Sequence, residues 1–71
     1  MKATGARYAA VVCRWDGGWQ AFVLDSTAGL IGVVEAAGLE GVEPAVRAFL
    51  GAREGRPPAA VRVEFVRPGP S

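Results

Sequence analysis

The chain contains no histidine and only one cysteine. Without histidine there is no imidazole to activate a serine or cysteine nucleophile. There is also no zinc site of nitrogen and sulfur ligands. The lone Cys13 excludes an intrachain disulfide. Inside an apolar strand it reads as a small buried hydrophobe in a reducing compartment, the cytoplasm. A dominant charge is missing too: eight basic residues against seven acidic leave +1 at pH 7. That is far from the strongly basic balance of a dedicated nucleic-acid binder. No long apolar run follows the first lysine, so neither a signal peptide nor a membrane span is expected. No residue pattern calls for a cofactor or a metal.

Seventy-one residues make a single domain, near the lower size limit for a core that stands alone. The ordered part is expected over about residues 7–67, with tails at 1–6 and 68–71. In a domain this small the cost of ordering the chain nearly cancels the gain from burying apolar surface. With no disulfide and no metal, oligomerisation is the remaining source of support. An apolar fraction of 51% points the same way.

The one convincing helix runs from Gly38 to Glu54. Leu39, Val42, Val46, Phe49 and Leu50 recur at the three-and-four spacing of one helix face. Pro44 fits only a first turn, so the segment from Gly38 to Val42 should be irregular. Gly55, followed by Pro57 and Pro58, ends the helix. A competing helix over Ala28 to Leu39 is disfavoured by its glycines.

The remaining segments read as strands. Tyr8 to Trp15 and Trp19 to Leu24 flank Asp16-Gly17-Gly18, a tight hairpin turn. Gly29 to Glu35 is a third strand, bulged or twisted by its two glycines. Ala60 to Val66 is a fourth, with Val61, Val63 and Phe65 pointing inward and Arg62 and Glu64 outward. The expected fold is α+β, in the order β-β-β-α-β: an antiparallel meander, one helix packed on one sheet face, and a final strand.

A two-residue loop fixes which side chains share a face. One face carries Tyr8, Ala10, Val12, Arg14, Trp19, Ala21 and Val23. The other carries Ala9, Val11, Cys13, Trp15, Gln20, Phe22 and Leu24. Neither is polar, and one helix covers only one. Candidate interface residues are therefore Trp15, Phe22 and Leu24 if the helix takes the first face, or Tyr8 and Trp19 if it takes the second. A homodimer follows from either.

Two weaker constellations exist. Arg14 and Arg62, with Arg7, Arg67 and the aromatics Trp15, Trp19 and Tyr8, sketch a sheet surface for RNA. Asp25 and Glu35 bracket one loop and form the one conceivable acid/base pair. Gly29-Leu30-Ile31-Gly32 lacks the third glycine of a phosphate loop.

The order of elements and several residues resemble the HicB-like antitoxin family in its short form. The matching pieces are the strand Tyr8 to Val12, the turn Asp16-Gly17-Gly18-Trp19 followed by Ala21 and Val23, the run from Leu39 to Arg47, and Val61-Arg62-Val63. Where that family commonly has a Pro-Gly turn after the second strand, this chain has the longer Asp25-Ser26-Thr27-Ala28-Gly29. The resemblance implies an incomplete ribonuclease-H-like sheet without catalysis. It further implies a protein partner, a small toxin ribonuclease to be neutralised. No catalytic residue carries over, and no DNA-binding segment is expected after the fourth strand.

Overall fold

The computed structural model describes residues 7–66. The expected tails, and Arg67, lie outside the described residues. The order is α+β: β1 (Tyr8–Trp15), β2 (Gly18–Asp25), β3 (Gly29–Ala36), α1 (Val42–Glu54) and β4 (Val63–Val66). The strands form one sheet in the order β3-β2-β1-β4. β1, β2 and β3 make an antiparallel meander, and β4 runs parallel to β1. The helix is the crossover that carries the chain from one sheet edge to the other.

The hairpin forms as the turn chemistry requires. Asp16 and Gly17 both take positive φ, 47° and 81°, and Trp15 pairs with Gly18. Such a turn matches the right-handed twist of its flanking strands. The third strand carries the expected irregularity, a register shift opposite Val23 and Leu24.

A 3-10 turn at Leu39–Gly41 precedes α1, and Pro44 falls in the first α-helical turn, where no intrahelical N–H is lost. The helix closes at Gly55, whose left-handed conformation directs its N–H to the Gly51 carbonyl. From the stripe, Val42, Val46 and Leu50 are buried, with Leu39 and Phe49 packed beside them. They lie on Tyr8, Ala10, Val12, Ala21 and Val23 of the sheet, and Val61 completes this core.

The fourth strand is shorter than expected, Val63–Val66 rather than Ala60–Val66. Pro57 and Pro58 have no N–H for a ladder, and the chain coils into a 3-10 turn instead. The Ala60 N–H donates to the Pro57 carbonyl at 2.9 Å and the Val61 N–H to the Pro58 carbonyl at 3.2 Å. The Val61 carbonyl is then met by Arg47, whose guanidinium donates to it at 2.5 Å and to Glu43 Oε2 at 3.0 Å. The same guanidinium lies 5.8 Å from the centre of the Phe65 ring. One helix side chain thus ties α1 to the final strand.

Close packing of helix on sheet depends on Gly32. A Cβ there would sit 2.5 Å from Phe49 Cζ, well inside contact distance. Gly32→Ala should therefore lower stability by about 1–3 kcal/mol, the range for an overpacked core, although alanine loses less entropy in a strand. Urea unfolding checks this; an unchanged or raised midpoint would show that Phe49 does not depend on the gap.

Candidate functional site

The helix covers the face of Tyr8, Ala10, Val12, Ala21 and Val23, all of them buried. The uncovered face is therefore the one bearing Trp15, Phe22 and Leu24. Tyr8 and Trp19, the alternative interface pair, belong to the covered side. Tyr8 is core at 5% exposure, and Trp19 packs against the core with Arg14 5.4 Å from the centre of its ring. The two tryptophans, four residues apart, have thus gone to opposite sides of the sheet.

Register extends the open face across all four strands. Ala9 pairs with Leu24, which pairs with Leu30; Val11 pairs with Phe22, which pairs with Val33. On the other flank Val11 pairs with Val66 of β4. The described exposed large hydrophobes are Trp15 at 60%, Leu30 at 57%, Val33 at 44% and Val66 at 41%. All four point to this face. The polar side chains among them are Gln20, Glu35 and Glu64, set toward the ends and the β4 edge. Cys13 sits half-buried on the open face, not in the core.

Leu30, Val33 and Val66 were not among the expected interface residues. Plain alternation would put Leu30 and Val33, three residues apart, on opposite faces; the bulge in β3 brings them to the same one. Val66 is placed by the pairing of β4 with β1, which no local pattern encodes.

The two carboxylates that bracket the β2–β3 loop lie apart. Asp25 is buried and is held by its own turn. Its Oδ1 accepts the Thr27 N–H at 2.8 Å, and Arg7 reaches Oδ2 at 3.3 Å. The Thr27 hydrogen bond and then Arg7 hold its carboxyl below the usual carboxylate range. Glu35 lies exposed at the far end of β3, opposite Gln20, and on the other face. The Asp25–Glu35 pair therefore does not converge, because the meander sends them to opposite ends of the sheet. Among the described residues no group of three or more His, Cys, Asp or Glu is placed to hold a metal ion.

The arginine surface is also divided. Arg62 precedes β4 beside Arg7, whereas Arg14 lies at the far end of β1. At about 3.3 Å per residue they stand roughly 20 Å apart. Arg62 instead shares a shallow groove with Arg7, Arg56 and Glu54. There the Tyr8 hydroxyl donates to Glu54 Oε2. That bond, and then burial, raise the Tyr8 hydroxyl above the ordinary phenol range. No described helix is long and apolar enough to cross a membrane.

No protein-family model matches the chain, and neither a curated protein nor a solved structure matches it.

The Asp25 arrangement has a pH signature. Its folded pKa lies below its unfolded value, near 3.9. Its contribution is therefore present above about pH 4 and is lost as pH falls through the folded value. Urea unfolding from pH 7 to pH 2 should show stability falling in this acid window, with a shallower fall for Asp25→Asn. Equal slopes for both proteins would show that Asp25 is not the group responsible.

Proposed function

We propose that this chain is a non-enzymatic protein-binding module that works as a homodimer, with the second copy seated on the open sheet face. The observation that carries it is the concentration of Trp15, Leu30, Val33 and Val66 on the one face the helix leaves bare. Soluble monomers rarely leave a contiguous apolar patch of more than a few hundred Å² in water. Three full strands and a half strand span a footprint of roughly 450 Å² from standard strand spacings. Two such faces, with their side-chain relief, reach the area of about 1,000 Å² that a specific interface needs. Self-association also provides the support that a core of this size lacks.

The module resembles a HicB-type antitoxin domain, and that resemblance supports a cytoplasmic role in neutralising a small toxin ribonuclease. The division of Arg14 from Arg62 leaves the alternative, an RNA-binding sheet, without a continuous basic surface.

Sedimentation equilibrium at micromolar concentration should give the mass of two 7.4 kDa chains. Phe22→Glu should give a folded monomer, since Phe22 lies on the open face outside the core. A monomeric wild-type chain would overturn the homodimer.

A further inference from the structure

β3 is an edge strand along its whole length, with β2 on one side and no strand on the other among the described residues. Natural proteins blunt such edges with lysine, proline or a short strand. β3 is eight residues long, Gly-Leu-Ile-Gly-Val-Val-Glu-Ala, with no proline and no basic residue; Glu35 is its one charge. Its bulge sits at one end, leaving Gly32 to Ala36 in regular register.

The direction of its free backbone groups follows from the ladder. The Ser26 N–H donates to the Arg7 carbonyl, so position 7 and its alternates along β1 bond toward β2. Gly18, Gln20, Phe22 and Leu24 answer them, and Trp19, Ala21 and Val23 turn toward β3. Their partners Ala36, Val34 and Gly32 are thereby satisfied. Val33 and Glu35 are left with N–H and C=O groups pointing out of the sheet.

We propose that β3 is a second association site, for β3 of another copy of this chain, joined antiparallel about a two-fold axis. An antiparallel pair must match outward groups with outward groups and each face with itself. One register does so over the regular part of the strand: it sets Val34 against Val34 of the other copy. Val33 then lies opposite Glu35 and Gly32 opposite Ala36, so Glu35 faces an apolar residue and not its own copy. The strand is therefore complementary to itself in charge, in face and in hydrogen bonding. The pairing extends the sheet to eight strands and makes the two open faces continuous. It uses the rim of the sheet, so it coexists with face-to-face packing and takes the assembly from two copies to four at high concentration.

The test uses Phe22→Glu, in which face packing is blocked. At millimolar concentration this variant should still dimerise. Its Val33 and Glu35 amides should exchange with deuterium roughly tenfold or more slowly than in the diluted monomer. Adding Val33→Pro removes one outward N–H from an edge position that tolerates proline, and should leave a monomer. A Phe22→Glu protein that stays monomeric, with both amides exchanging at one rate at all concentrations, would overturn the edge pairing. If the proline variant fails to fold, the amide rates in Phe22→Glu alone decide. A wild-type dimer that survives these negative results would leave the face packing intact, so the two contacts fail separately.

Discussion

One amphipathic helix has one apolar stripe, and a sheet has two sides. That inequality governs this molecule. Val42, Val46 and Leu50 press on one side and bury Ala10, Val12, Ala21 and Val23 completely or nearly so. The approach is close because Gly32 has no side chain to hold Phe49 away. The crossover uses up the one described α-helix in reaching β4, and no described element remains for the opposite side. Trp15, Leu30, Val33 and Val66 there are left exposed among the described residues.

Polar contacts secure the margins of this arrangement. Arg47 supplies the hydrogen bond that the Val61 carbonyl lacks where the prolines have broken the ladder. Tyr8 joins the start of β1 to Glu54 at the end of the helix, across 46 positions of sequence. Asp25 closes the β2–β3 turn and anchors Arg7. Each of these groups has a structural partner. The described fold leaves apolar area uncovered on one sheet face, with the β3 edge beside it.

Much of this was legible in the residues, for local reasons. Asp16-Gly17 permits only a tight turn, and that turn sets the β1–β2 register and so both side-chain sets. The helix stripe from Leu39 to Leu50 and the place of Pro44 follow from spacing alone. Other features depend on chain-distant pairing. Nothing near Val63 says that β4 lies beside β1, and so nothing placed Val66 on the open face or separated Arg62 from Arg14. Asp25 and Glu35 are only ten positions apart in sequence, which suggests proximity. A strand of eight residues is long enough to carry them to opposite ends and opposite sides. The prolines at 57 and 58 shortened the last strand although its alternation runs on through Val61.

Cys13 provides the most direct test, because it is the only thiol in the chain and sits on the uncovered side in a central strand. Its rate of alkylation can be followed in the unmodified protein from nanomolar to millimolar concentration. If the bare sheet side is an interface, the rate should fall steeply as the chains associate and recover on dilution. A rate that stays the same over the whole range would show that this side faces water at all times and is no interface.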